Sequence, residues 1–312
     1  MAGPQDLVSL LDRRVATLKK ARPELAEALD LQSRLIRTAL TSARPAEARP
    51  FPLPREHVAA RVREGVPLLH DQPAHLDLHF AADLFSRLVN ALQERQDAEL
   101  ASRLDALVTA ATAGTLDPER LFGEALVHHH DHLRELALQA EVEPELLATL
   151  AAHAVAPVLR AYAARLLPLL EGLDDGIGWQ RGYCPVCGGW PLIGELRGVE
   201  LAQYLRCAGC GSGWRWPRLM CAYCGNDDYQ SLGTLTIEGE QRFRISVCNR
   251  CKGYLKVCNA FDPPPPELLP LEDAVSVHLD LAAIERGYQR PSASGFVIEL
   301  AVPEEEWLEE LA

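Results

Sequence analysis

Apolar residues recur every three or four positions up to about residue 170 and then begin to alternate, so the pattern divides the chain before any motif is read. Leu7, Leu10, Leu11, Val15 and Leu18 predict an amphipathic helix over 6–20, with Asp6 placed to cap its start. Pro23 and Glu24 open a second helix marked by Leu25, Leu29, Ile36 and Leu40. Four prolines between Arg44 and Pro54 lock φ and remove donors, which predicts an extended crossover. More helical stripes follow, one through Leu84, Leu88 and Leu92 and another through Leu100, Leu104 and Leu107 that ends near Gly114. Asp117 before Pro118, and Pro144 before Glu145, are helix starts. Residues 1–172 therefore read as an all-α bundle, closed by the glycines and aspartates of 172–178.

Beyond that boundary the period shortens. Leu192–Leu196 with Gln203–Leu205, and Leu232–Ile237 with Arg242–Val247 around Gly239, predict two hairpins. Asp262 and the prolines 263–266 read as a rigid spacer. After it come a helix or mixed segment over 273–286, a strand over 296–300 and an acidic end over 304–310. The expected fold is α+β and multidomain: the bundle (1–172), two tandem modules (173–217 and 218–262) and a C-terminal segment (263–312) that packs on the modules or the bundle.

The modules are defined by cysteine. Cys184 and Cys187, Cys207 and Cys210, Cys221 and Cys224, and Cys248 and Cys251 form four Cys-x-x-Cys pairs that flank the two hairpins. Such a turn aims two sulfurs at one point and tilts backbone N–H groups toward them, so two turns clamp one ion in a closed tetrahedron. Sequential pairing assigns the first centre to Cys184, Cys187, Cys207 and Cys210, and the second to Cys221, Cys224, Cys248 and Cys251. Spacing leaves the interleaved pairing open. Disulfides are disfavoured because no N-terminal apolar run with a cleavage site directs the chain to an oxidising compartment. All-sulfur tetrahedra suit both iron and zinc, although Tyr183–Gly188 looks locally like a rubredoxin knuckle. Cys258 has no partner spacing and reads as an unliganded thiol.

Charge changes the picture of partners. The net value is −13 overall, with −5 in 1–172 and −8 in 173–312, which argues against attraction to nucleic acid or anionic lipid. Residues 181–258 are formally +4, but eight thiolates around two divalent ions would cancel that excess. Trp190, Trp214, Trp216, Tyr223, Tyr229 and Tyr254 then read as packing that shields sulfur, not as a platform for stacking bases. No run of 18 apolar residues argues for a membrane span.

A catalytic set is missing from the pattern. Closed four-cysteine centres have no open position to activate water, and there is no phosphate loop, nucleophile elbow or His-Glu-x-x-His. His128–His132 reads as a solvated polar run, and Asp71, His75, Asp77 and His79 define no catalytic set. The expectation is a protein that is not an enzyme.

The order Tyr183-Cys-Pro-Val-Cys-Gly-Gly-Trp-Pro191, Tyr204-Leu-Arg-Cys-Ala-Gly-Cys210, Cys221-Ala-Tyr-Cys-Gly225 and Cys248-Asn-Arg-Cys-Lys-Gly-Tyr-Leu-Lys256 resembles the FdhE family of formate dehydrogenase accessory proteins. Glu272–Asp280 and Glu285–Arg290 look like that family's segment after the last knuckle. The resemblance implies a cytoplasmic maturation factor that binds the catalytic subunit of respiratory formate dehydrogenase before its export, with rubredoxin-type iron in the four-cysteine centres and zinc as the alternative. Electron transfer through such iron, or a nucleic-acid-binding zinc ribbon, are the competing expectations.

Overall fold

The structure is a computed structural model and describes residues 3–42, 51–73, 77–93, 98–171, 173 and 178–300. Most of the proline crossover, His75, most of the glycine-rich boundary and the acidic end lie outside the described residues. Among the described residues eight α-helices come first: α1 (Pro4–Ala21), α2 (Ala26–Leu40), α3 (Arg55–Glu64), α4 (Leu78–Gln93), α5 (Ala98–Thr112), α6 (Pro118–Leu126), α7 (His130–Gln139) and α8 (Pro144–Glu171). Six strands follow: β1 (Pro191–Arg197), β2 (Ala202–Cys207), β3 (Gly213–Arg215), β4 (Leu232–Leu235), β5 (Phe243–Cys248) and β6 (Tyr254–Asn259). Then come α9 (Leu269–Val275) and α10 (Val277–Glu285).

Local chemistry sets most of the helix ends. Asp117 accepts the Glu119 N–H at the start of α6, with Pro118 in the first turn where no donor is needed. At α1 the expected cap is displaced. Gly3 is the N-cap and Asp6, inside the first turn, accepts its N–H at 3.1 Å. α8 is 28 residues long and is long and apolar enough to cross a membrane, but 56% of its most apolar window is buried inside the protein. Its Leu147, Leu150, Val155, Val158, Leu159 and Tyr162 form the axis of the bundle core.

Both hairpins form, and each gains a third strand that alternation did not mark. The sheet order is β3-β2-β1-β6-β5-β4, antiparallel throughout except where β1 and β6 run parallel. That parallel seam pairs Gly194 with Val257 and joins the two cysteine modules into one sheet. Gly194 suits the seam because a Cβ there would stand 3.1 Å from Val257 Cγ2.

Side-chain alternation gives the sheet two apolar faces. Leu196, Leu205, Leu255 and Val257 join the core of α3–α8. Ile193, Phe243, Ile245, Val247, Tyr254 and Cys258 face a second core with α1, α2, α9 and α10. The first two helices therefore do not simply extend an all-α bundle. α2 places Leu35 in one core and Leu29 and Ile36 in the other, so it ties the layers together. The proline stretch is not a free spacer either, because the Pro264 carbonyl accepts from the Arg206 guanidinium at 3.2 Å. Residues 273–286 resolve into the end of α9 and α10, and 296–300 forms no strand, only a bridge from Leu300 to Gln72.

The second face also buries charge. Lys256, fully buried on β6, reaches Asp280 at 2.6 Å and Asp273 at 2.8 Å. Arg290 closes the set at 2.8 Å from Asp273 and 3.0 Å from Asp280. Burial would raise the Asp273 carboxyl, but Arg290 and Lys256 lower it below its usual value. Asp273 thus stabilises the fold above the unfolded carboxyl value of about 3.9, and that contribution is lost as pH falls through the lower folded value. Lys256→Met should cost about 1–3 kcal/mol because it leaves two half-buried carboxylates with Arg290 as their remaining cation. Urea unfolding at neutral pH checks this, and a loss below about 1 kcal/mol would show that Arg290 alone suffices.

Candidate metal centres

Each Cys-x-x-Cys pair sits in the same tight turn. The N–H of Cys184 donates to the Gly189 carbonyl at 2.8 Å, and Gly188 N–H returns to the Cys184 carbonyl at 3.0 Å. Cys207 with Gly211, and Cys221 with Gly225, repeat that return bond at 3.2 and 3.0 Å. The residue after each second cysteine has positive φ: Gly188 at 77°, Gly211 at 71°, Gly225 at 68° and Lys252 at 58°. Three are glycine as the conformation favours, and Lys252 tolerates it. The turn leaves backbone donors on sulfur, with Val186 N–H 3.4 Å from Cys184 Sγ and Gly253 N–H 3.4 Å from Cys251 Sγ.

The hairpins then bring the turns together. Cys184, Cys187, Cys207 and Cys210 form one group, Cys221, Cys224, Cys248 and Cys251 the other, and in each the sulfurs lie within 4.8 Å of one another. The pairing is therefore sequential and not interleaved. In the first group, Sγ–Sγ distances are 3.4 Å (Cys187–Cys207), 3.5 Å (Cys184–Cys210) and 3.6 Å (Cys187–Cys210). In the second they are 3.6 Å (Cys221–Cys251) and 3.8 Å (Cys224–Cys248). A disulfide needs about 2.05 Å, whereas a tetrahedron of 2.3 Å metal–sulfur bonds has edges of about 3.8 Å. The donor set and its spacing fit a metal ion, and the two groups can hold two ions.

The two centres differ in surroundings. All four thiols of the first are at most 1% exposed, whereas Cys224 and Cys251 of the second reach solvent. The first is also pinned to the helical layer: Leu68 N–H donates to the Pro185 carbonyl at 2.8 Å, Leu69 N–H to Val186 at 3.0 Å, and the Tyr183 hydroxyl to Gly65 at 2.7 Å. Burial pushes the Cys184 thiol well up. Burial would raise Cys210 too, but contacts from Cys184, Cys187, Cys207 and Ser212 hold it well below the ordinary thiol value. Among the shielding aromatics, Trp214, Trp216 and Tyr254 are buried, and Trp190 packs edge-on to Tyr223. Tyr229 is 70% exposed.

The histidine run is not the uniform polar helix expected of it. His128 lies before α7 with φ at 58°, and its Nε2 is 3.2 Å from Cys187 Sγ. Burial pushes its imidazole down to about 4. His129 and His132 each meet one oxygen of Glu124 at 3.0 Å, a set of three that satisfies itself. No sequence signal marks His128, because the residue usually found at positive φ is glycine. Cys258 is buried in the second core, where burial raises its thiol to about 12. Of the loop residues, Asp77 caps α4 by accepting the Phe80 N–H at 2.9 Å, and His70, not among those singled out, accepts the Glu299 N–H at 3.1 Å.

Fold and site together define an α+β protein whose tandem four-cysteine modules share one sheet beneath a helical layer. No family model matches the chain. The FdhE homolog of Aquifex aeolicus is 32% identical over 131 residues, which are 39% of this chain and 46% of that protein. The FdhE protein of Escherichia coli is 32% identical over 146 residues, 45% of each chain. The matched stretches thus span just under half the length of these curated relatives. A crystal structure of the FdhE protein from Pseudomonas aeruginosa superimposes with a TM-score of 0.59 over 94% of this chain and 96% of that one, at 23% identity, so the fold is shared. The resemblance to FdhE proteins read from the knuckles therefore holds in sequence and in fold.

Two outcomes follow from the unequal burial. In metal-loaded, reduced protein a thiol-alkylating reagent should modify Cys224 and Cys251 at least tenfold faster than Cys184 or Cys187, read by peptide mass spectrometry. Equal rates would contradict the burial described. Cys184→Ser removes a ligand from a module that the helical layer rests on, and ligation of this kind contributes on the order of 10 kcal/mol. Its helical half should become protease-sensitive, whereas Cys224→Ser should loosen only the second module.

Proposed function

We propose that this chain is an accessory protein for the maturation of formate dehydrogenase, acting in the cytoplasm by holding the catalytic subunit before export. The observation that carries the reading is the coincidence of sequence similarity to FdhE proteins with the four-knuckle arrangement on a shared fold. The eight knuckle cysteines, Cys184, Cys187, Cys207, Cys210, Cys221, Cys224, Cys248 and Cys251, are proposed as ligands of two metal ions, iron by resemblance and zinc as the alternative. A bound ion would supply rigidity to each pair of knuckles. The chain's own residues then present two rigid surfaces, the sheet edge and the helical layer. Closed coordination gives neither centre a position at which substrate could bind, which supports a binding role over an enzymatic one.

A second reading has its own observation. Cys224 and Cys251 bring sulfur of the second centre to solvent, where a one-electron partner could approach a rubredoxin-like iron. Anaerobic pull-down of a formate dehydrogenase catalytic subunit with the metal-loaded chain separates the two. Retention at micromolar protein, independent of the metal's oxidation state, is expected of an assembly factor. Absence of a complex, together with reversible bleaching of visible absorbance on reduction, would favour electron transfer instead.

A further inference from the structure

His128 is supplied by the turn between α6 and α7, yet its imidazole lies against the first cysteine group. Its Nε2 stands 3.2 Å from Cys187 Sγ. The knuckles leave room for it: a Cβ on Gly209 would fall 2.2 Å from His128 Cε1, and one on Gly189 would fall 3.0 Å from its Nε2. Two glycines, one in each turn of this centre, thus border the slot that the ring fills. The backbone of His128 is held in the left-handed region, φ 58°, and its carbonyl accepts the Ser294 hydroxyl. A β-branched or bulky residue would be strained there, and even histidine has a cost, so the surrounding contacts over-determine the placement. In the second centre the space over Gly253 is taken by Tyr223, whose Cδ2 would lie 2.6 Å from a Cβ and which offers a ring edge and no donor at that point, while Asn226, at the position equivalent to Gly189, brings its Nδ2 to 3.9 Å from Cys248 Sγ.

We propose that His128 is a positioning residue of the first centre, donating its Nε2–H to the Cys187 thiolate and so setting the charge on that sulfur from the helical layer. This rests on the reading that the first centre holds an ion. An imidazole with its proton on Nε2 can donate one hydrogen bond to a thiolate 3.2 Å away, and hydrogen bonds to ligand atoms orient them and tune the metal they hold. Donation withdraws charge from sulfur, which raises the energy needed to move an electron from sulfur to metal. It also links the α6–α7 turn to the state of the centre without any ligand exchange. The second centre has no imidazole donor among the described residues, and the Asn226 amide reaches its Cys248 Sγ at the longer distance of 3.9 Å, so it serves as the internal comparison.

The test uses the full chain loaded with Co(II), whose sulfur-to-metal charge-transfer bands report thiolate charge. Wild type should take up two ions. His128→Ala should still take up two, but one should be held roughly tenfold more weakly against a chelator, with part of the charge-transfer absorption moved to lower energy. His128→Gln, whose side-chain amide N–H can occupy the same place, should restore most of the band position and the affinity. Wild-type affinity and spectrum in His128→Ala would overturn the proposal. So would a His128→Gln variant, folded by circular dichroism, that behaves like His128→Ala, because the effect would then be packing and not donation. A wild-type chain that binds no cobalt would overturn the metal reading itself, and with it this one.

Discussion

Four sulfurs held within 4.8 Å of one another and shut away from water are the constraint around which the first module is built. As thiolates they repel, and in a dry interior that repulsion goes unscreened, so the quartet persists as an anionic ligand set only with a cation at its centre. The knuckle turns, with positive φ after each second cysteine, aim the sulfurs inward. The hairpin of β1 and β2 fixes the distance between the two turns. Pro185 and Val186, inside the first turn, then receive N–H groups from Leu68 and Leu69, so the helical layer is docked on the ligand loop itself. Loss of the quartet would be felt well beyond the module.

The sheet extends that dependence to the rest of the chain. Because β1 and β6 pair in parallel, the second module is continuous with the first, and both faces of the shared sheet are buried. On one face the contact is apolar and belongs to α3–α8. On the other, apolar packing against α1, α2, α9 and α10 is interrupted by Lys256, Arg290, Asp273 and Asp280, and by Glu195 with Arg206 and Arg197. Buried ion pairs of this type add little net stability against an apolar alternative, but they cannot be broken singly without large cost. They fix how the C-terminal helices lie on the sheet. The second centre, by contrast, lies at a margin with two cysteines in solvent, which makes it the centre open to exchange with the surroundings.

Much of this was legible in local pattern. Helical stripes, the Asp117–Pro118 start, both hairpins and the cysteine quartets depend on residues close in sequence, and these were recovered. What escaped depends on distant pairing. The β1–β6 seam joins residues more than 60 positions apart with no turn between them, and nothing in Leu192–Leu196 or Tyr254–Asn259 announces it. α1 and α2 are amphipathic in any setting, so their period could not say which core they would join. Phe296–Leu300 alternates like a strand but finds only a single bridge. His128 stood in a run that reads as solvated helix, and only the left-handed turn before α7 carries it to sulfur. Tyr229 failed for the opposite reason, since aromatic identity does not by itself secure burial.

The central claim is that the eight knuckle thiols act as two complete ligand sets on which the protein's surfaces are built. X-ray absorption at the edge of the bound metal, on protein purified without oxygen, tests it most directly. The account predicts a first shell of four sulfurs at about 2.3 Å and no nitrogen or oxygen neighbour. A mixed shell with nitrogen or oxygen, or thiols joined as disulfides with no metal edge at all, would contradict it.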